Sequence, residues 1–413
     1  MNLLILSPWF PYPPDNGSRL RAFHLIREMA KTHRVRLVTG LQEDIAPVAM
    51  PDGKTVPVSL AELCENVTVT PWKWHGGDVG SHLERAGSAI RALLSPTPRA
   101  ILETDNPELR QAIQNELTRR PDAVLAMELA IAPFVPHDLQ GIPVLLDQIE
   151  VTGVRRVFHE ATGAKARLRT GLTLVKHDRY WRHALQRFDG VTAVSEEEAS
   201  AIRKVLGTRP PVHLVPNGVD TLAYPLLPAN HEPVPGRILY NGALTYGPNR
   251  DAVYWFVQEI LPIIANAVPS AHLVVTGRYP EEAGRMLGHH PRVKLTGFLP
   301  DLKDALSEAA LSVVPLKAGG GTRLKILEAF AAQLPVVSTA IGASGIAGID
   351  GEHLRLAETP ETIAQATIDL LTDRAERKRL AGNARALVLD RYDWTAIGLT
   401  MNDLLTDLHK RKS

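Results

Sequence analysis

Cysteine is nearly missing from this chain: Cys64 stands alone among 413 residues. One thiol cannot close an internal disulfide, so the fold is expected to rest on buried apolar area and to suit a reducing compartment. Cys64 itself reads as a small core filler more naturally than as a nucleophile. Long hydrophobic runs are lacking as well. The apolar start Met1 to Leu6 is followed at once by Pro8, Pro11, Pro13 and Pro14. No stretch has the length of a signal-peptide core or a transmembrane helix. A cytoplasmic protein is expected, with peripheral contact at the inner face of the cell membrane left open. Nor is there an excess of charge of one sign. The 46 Lys and Arg against 45 Asp and Glu leave a net charge of +1, which argues against nucleic-acid binding through a global basic field. Several catalytic signatures are absent: Asp-x-Asp, HExxH, CxxC, G-x-x-x-x-G-K-[ST] and G-x-S-x-G. His24, His33, His137, His159 and His177 are scattered without metal-ligand spacing. No metal and no cofactor are expected.

What the chain does have is length for two cores and a soluble, globular composition, 45% hydrophobic and 22% charged. Asn2 to Ser7 reads as a strand, Ser18 to Thr32 as a helix and Val35 to Thr39 as a second strand. This βαβ opening predicts a parallel sheet with right-handed crossovers. Ala123 to Met127, Val144 to Asp147 and Val191 to Val194 continue it. A second series follows in Arg237 to Asn241, His272 to Thr276, Val293 to Thr296, Leu311 to Pro315 and Val336 to Thr339. The fold class is therefore α/β, with two Rossmann-like domains. They are placed at residues 1–215 and 237–390, with a five-proline hinge at 216–236 and a terminal helical segment at 391–413. Trp72, Trp74, Gly76 and Gly77 read as loop, and Ser81 to Leu94 as amphipathic.

The most informative stretch is LSVVPLKAGGGTRLKILEAFAAQLPVVST, residues 311–339. A buried-strand pattern runs into Gly319, Gly320 and Gly321. Thr322 can then cap a helix on which Leu324, Leu327 and Ala331 are helically spaced. Strand, glycine loop and helix N-terminus together form an anion site built of backbone N–H groups. The first helical turn carries Arg323 and Lys325, cations at the positive end of a helix, which makes sense if an anion docks there. Glu328, one turn on, can accept from ribose hydroxyls. The plainer reading is a tight glycine turn with Lys325 and Glu328 paired on a solvated face.

This segment closely resembles the donor-site motif of glycosyltransferase family 4, whose members have the GT-B fold. The motif usually holds two glutamates separated by seven residues. Glu328 matches the second, which in the family binds the nucleotide ribose, and the first falls on Gly320. Further resemblances lie in Val194 to Glu198, in Val215 to Asp220 (VPNGVD), in Tyr240 to Asp251, and in Gly297 to Leu299 with Asp301. Ser195 with Glu198 is equally a capping box, and Asn217-Gly218 a turn former.

The resemblance implies a retaining, metal-independent, hexosyltransferase-like enzyme with two domains facing a cleft. The donor would be a UDP-, GDP-, ADP- or dTDP-sugar, and the product a cell-surface polysaccharide or glycoconjugate. It implies donor contacts from Gly242, Gly277, Gly297, Gly320, Gly321, Thr322 and Glu328, with Asn249 and Arg250 in the stretch where many relatives carry an Arg and a Lys that grip the diphosphate; Arg323 and Lys325 are expected to substitute for that pair. On the acceptor side, for a saccharide, lipid-linked or small-molecule acceptor, it implies Gly17, Arg19, Arg21, Gln148 and Glu150. Asp147 and Gly320 fall where relatives place catalytic groups. The basic stretch Arg155 to Arg187 reads as a solvated helix face, with an anionic acceptor or acidic lipid as alternatives. Two rivals stand beside the transferase: a nucleotide-sugar epimerase, and a catalytically silent nucleotide-sugar-binding scaffold, which Gly320 keeps open.

Overall fold

The computed structural model describes residues 1–14, 16–42, 58–72, 95–102, 106–139, 141–147, 152–228, 230–319 and 322–412. Trp74, Gly76, Gly77, the Ser81 to Leu94 segment, Gln148, Glu150, Gly320 and Gly321 lie outside them. The chain divides into two compact units. Unit 1 comprises Met1–Pro216 and Gly398–Ser413, and unit 2 comprises Asn217–Ile397.

Among the described residues, unit 1 is built on seven strands: β1 (Asn2–Ser7), β2 (Arg34–Gln42), β3 (Asn66–Trp72), β4 (Ala123–Met127), β5 (Val144–Asp147), β6 (Gly190–Ala193) and β7 (Val212–Leu214). They form one sheet in the order β3-β2-β1-β4-β5-β6-β7, and every pairing is parallel. Parallel strands covered on both faces need continuous apolar runs. Accordingly β4 and β5 are buried along their whole length. Trp72, expected in a loop, closes β3, because the alternating NVTVT before it pairs with β2. Cys64 is buried, and desolvation pushes its thiol up to about 12, as suits a core residue.

Unit 2 carries β8 (Arg237–Asn241), β9 (His272–Thr276), β10 (Val293–Gly297), β11 (Leu311–Val314), β12 (Val336–Ser338) and β13 (Arg355–Leu356). Their order is β10-β9-β8-β11-β12-β13, again all parallel. Both sheets reverse direction of growth beside a central strand, β1 in unit 1 and β8 in unit 2. In open α/β sheets the loops beyond the carboxyl ends of the strands at this switch form a crevice for ligands.

Of the segment 216–236 expected as a hinge, Pro216 belongs to unit 1 and the residues from Asn217 onward to unit 2. Val219 N–H donates to Tyr392 C=O at 2.8 Å. Gly218 has no room for a side chain, since a Cβ would stand 2.6 Å from Ile397 Cδ1 and 2.8 Å from Tyr392 C=O. Helix Trp394–Lys412 begins in unit 2 and ends in unit 1. There Met401, Leu405 and Leu408 are buried, His409 Nδ1 lies 3.0 Å from Asp122 C=O, and Lys412 Nζ lies 2.8 Å from Asp189.

Candidate functional site

At the switch of unit 2, β8 ends in Asn241, and Gly242 follows it. The loop after it feeds helix Gly247–Trp255, and the loop after β11 feeds helix Leu324–Ala331. The second helix starts one residue later than the capping reading gives. Arg323 occupies the cap position without a side-chain cap bond. Thr322 is instead engaged by Asn217, whose Nδ2 donates to its Oγ1 at 3.3 Å.

Lys325 and Glu328 project from this helix side by side into a half-buried cluster. Asn241 Nδ2 donates to Glu328 Oε2 at 2.8 Å, and Thr276 Oγ1 donates to Asn241 Oδ1 at 3.0 Å. The carboxylate is thus aimed by the ends of β8 and β9. Lys325 Nζ lies 3.0 Å from Asn249 Oδ1 and 3.2 Å from the Tyr240 hydroxyl, and sits 4.4 Å from the centre of that ring. Asn249 is fixed in turn, accepting from Tyr240 Oη at 2.8 Å and donating to Ala243 C=O at 2.9 Å. Burial opposes the charge on both groups. It lowers Lys325 to about 7, with Arg323 pressing the same way and Glu328 opposing. Glu328 is raised to about 7 by burial, against Lys325 and the Asn241 bond. The solvated-face alternative for this pair does not match that burial.

Glycines let the cluster pack closely at places where a side chain would collide. A Cβ on Gly242 would come within 2.6 Å of Lys325 Nζ. Gly277 has φ +107°, and a Cβ there would strike the Gly242–Ala243 backbone at 2.7–2.8 Å. Gly277 N–H donates to Gly297 C=O at 2.8 Å and Gly242 N–H to Thr276 C=O at 3.1 Å, and together these bonds join the three strand ends. Arg323 is buried; its Nη2 donates to Ile341 C=O at 3.3 Å, and its guanidinium packs along Gly319. Arg250 is not brought into the cluster, and its guanidinium lies 3.6 Å from Asp251 on the surface of its helix. Phe298 is exposed, with the Arg278 guanidinium 5.4 Å from its ring centre.

At the switch of unit 1, a cavity of about 270 Å³ is lined by Trp9, Asn16, Ser18, Arg19 and Glu128. Asn16 caps helix Gly17–Ala30 by accepting from Arg19 N–H at 3.1 Å, and the space beside Gly17 is open. Glu128 follows β4 directly, in a backbone conformation (φ +64°) that non-glycine residues rarely adopt. Its carboxylate accepts from Trp9 Nε1 at 2.5 Å. Burial raises its pKa, while the Trp9 and Ser18 hydrogen bonds counter that rise. Arg21 and Asp147 lie beneath, both essentially inaccessible. They form a two-pronged ion pair, Nε and Nη2 each 2.7 Å from a carboxylate oxygen. Arg21 also donates to the carbonyls of Val215 and Pro216, and Thr192 Oγ1 donates to Asp147 at 2.5 Å. These bonds tie the pair together and to β6 and the residues just after β7. Stranding one member would cost about 3–5 kcal/mol.

Sequence reasoning missed Glu128, Trp9, Asn241 and Tyr240. Glu128 had a readable signal, an acid immediately after the all-apolar AVLAM strand. Among the described residues no group of His, Cys, Asp and Glu is arranged to hold a metal ion. A separate cavity of about 320 Å³ in unit 2, bounded by His231, Leu306, Gln333 and Arg374, sits at the amino ends of β11 and β12. Its Arg374 is paired with Glu232, and its Arg377 bonds the Leu370 and Leu371 carbonyls.

Two parallel Rossmann-like sheets, each with its polar cluster at a strand switch, define the GT-B class of glycosyltransferases. Residues 15–222 match the family described as Glycosyltransferase Family 4, and residues 235–373 match Glycosyl transferases group 1. The chain belongs to glycosyltransferase family 4. It is 20% identical, over 95% of its length and 96% of the relative's, to an uncharacterised 44.6 kDa protein in the cps region of Klebsiella pneumoniae. Its fold is similar to the crystal structure of Anabaena HepE in complex with UDP, at 17% identity and a TM-score of 0.63, covering 98% of this chain and 100% of that one. It is also similar to WaaG, a glycosyltransferase involved in lipopolysaccharide biosynthesis, at 18% identity and a TM-score of 0.62, with the same coverage. Among the described residues no helix is long and apolar enough to cross a membrane.

Proposed function

We propose that this protein is a retaining hexosyltransferase that moves a sugar from a nucleoside-diphosphate donor to a hydroxyl of a saccharide or lipid-linked acceptor in cell-surface polysaccharide synthesis. The observation that carries the donor half is the cluster at the unit 2 switch, where Asn241 aims Glu328 and Lys325 stands close against the side-chain-free backbone of Gly242. Glu328 accepts from the ribose hydroxyls. Lys325, Arg323 and the uncapped helix N-terminus face the diphosphate, so negative charge on the departing phosphate develops where the protein is already polarised. The bond from the anomeric carbon to the phosphate oxygen breaks, and a bond to the acceptor oxygen forms on the same face. The acceptor's proton passes to the leaving phosphate, and the chemistry calls for no metal. The acceptor is assigned to the unit 1 cavity of Trp9, Asn16, Arg19 and Glu128. The relatives support a UDP-sugar and a surface glycan: one lies in a cps region, one is seen in complex with UDP and one is involved in lipopolysaccharide biosynthesis.

The test is a thermal-shift screen against UDP-, GDP-, ADP- and dTDP-sugars, with Glu328→Ala alongside. A ligand at 100 times its Kd adds about 2.7 kcal/mol of stability. Loss of the carboxylate is expected to weaken binding by about 1.5–3 kcal/mol. Equal affinity in the variant would remove Glu328 from the donor site. The second reading, a binding protein without turnover, is favoured by Gly320 where the family usually has its first glutamate. Nucleotide-sugar binding with no transfer to any acceptor would decide for it.

A further inference from the structure

Among the described residues, helix Ala164–Ala184 in unit 1 buries one face and leaves an apolar stripe on the opposite face exposed. The inner face buries Thr170, Trp181 and Ala184. Helix Thr152–Glu160 packs against it through Phe158, whose ring lies 3.3 Å from where a Cβ on Gly171 would stand. The outer face carries Leu168, Leu172 and Val175, at 67%, 46% and 67% exposure. The steps of four and three residues put them in one stripe along the helix. Val157, on the preceding helix, is exposed too, at 55%. Exposed apolar residues scattered singly need no explanation, whereas a helical stripe of them does.

The exposed charged side chains of this helix are all cations. Lys165 and Arg169 stand one turn before Leu168 and Leu172, and Arg179 one turn after Val175, all three exposed. The helix holds a single acid, Asp178, and Arg155 occupies it with a hydrogen bond of 2.8 Å to each oxygen. An apolar ridge flanked by cations is the pattern of a helix lying in the plane of an anionic bilayer surface, its side chains at the acyl boundary and its cations among the headgroups. A second copy of this chain fits less well, because docking two such faces would bring like charges together.

We propose that the outer face of helix Ala164–Ala184 docks this protein on membranes rich in anionic phospholipid. The proposal is independent of the donor assignment, since no donor-cluster residue lies on this helix.

The experiment is co-sedimentation of the full chain with vesicles of phosphatidylcholine alone and of phosphatidylcholine mixed equally with phosphatidylglycerol, at low and high salt. Two variants accompany it, Leu168→Ser/Leu172→Ser/Val175→Ser and Lys165→Glu/Arg169→Glu/Arg179→Glu. All six side chains are exposed, so both variants are expected to melt as the native protein does. The native protein is expected to sediment with the anionic vesicles only, and less at high salt. Each variant should lose at least about tenfold in partitioning. Failure of the native protein to bind anionic vesicles would overturn the proposal, as would equal binding to neutral ones or native-like binding by the serine variant. Size-exclusion chromatography covers the remaining case: a native dimer that the serine variant breaks, with no vesicle binding, would mark a self-association face and overturn lipid docking.

Discussion

Glu328 and Lys325 sit where burial opposes the charge of each, and this gives the donor cluster a pH signature. Lys325 is lowered to about 7, so the empty protein sheds this proton above neutrality. A docked diphosphate favours the ammonium and raises its pKa. The affinity it contributes is therefore complete below about pH 7 and is lost as pH rises through the higher, bound-state value. UDP titrations from pH 7 to 9 are expected to show weakening affinity, with a slope below one proton because Glu328 ionises to its ribose-accepting form over the same range. Lys325→Met should bind more weakly at pH 7 and show no such slope; an identical slope in the variant would place the proton elsewhere. The two residues were legible because both lie in one helix, at a spacing that puts them on one face. Asn241, Tyr240 and Glu128 were not singled out, because their roles come from contacts that sequence distance hides: Asn241 meets Glu328 across 87 residues, and Trp9 meets Glu128 across 119. Arg21 and Asp147 show the converse. Each was expected at a ligand-facing junction, and the buried ion pair that joins them, which spans 126 residues, could not be read from the sequence.

Among the elements, the strand ends of unit 2 decide how closely a ligand can approach. Gly277 and Gly297 both hold positive φ, but for different reasons. A Cβ at Gly277 meets backbone, whereas the space around Gly297 is open. Gly297→Ala then bears mainly the left-handed conformation, about 1–2 kcal/mol. Gly277→Ala bears that and a clash which only movement of the β8 loop relieves, another 1–3 kcal/mol or so. Thermal melts of the two variants should rank Gly277→Ala as the more destabilised, with weaker UDP binding; equal melts would mean the loop yields freely. Most strands were readable as short apolar runs, since burial on both faces removes polar residues. The short edge strands β7 and β13, of three and two residues, carry too little pattern to be read. The start of helix Leu324–Ala331 was misread by one residue, because Thr322 has the right chemistry for a cap but is held by Asn217.

At the scale of the molecule, two successive α/β series were enough to give two Rossmann-like sheets, while the exact partition of the chain was not visible. Segment 217–236 looks like a linker by its prolines, yet its hydrogen bonds and tight glycines belong to unit 2. Conversely, the residues from Gly398 onward complete unit 1. Deleting 398–413 uncovers the surface that Met401, Leu405 and Leu408 bury, at about 1.5–3 kcal/mol for each side chain. Limited proteolysis of that variant is expected to cut within residues 1–216 first, with the donor cluster of unit 2 still binding UDP. Retained protease resistance in 1–216 would show that the segment contributes little.

The same threading sets an order of assembly on the ribosome. Unit 2 is one uninterrupted stretch, whereas unit 1 is made in two instalments separated by all of unit 2. The half that is synthesised first is therefore finished last: its core waits, through the translation of residues 217–397, for the segment that carries Met401, Leu405 and Leu408.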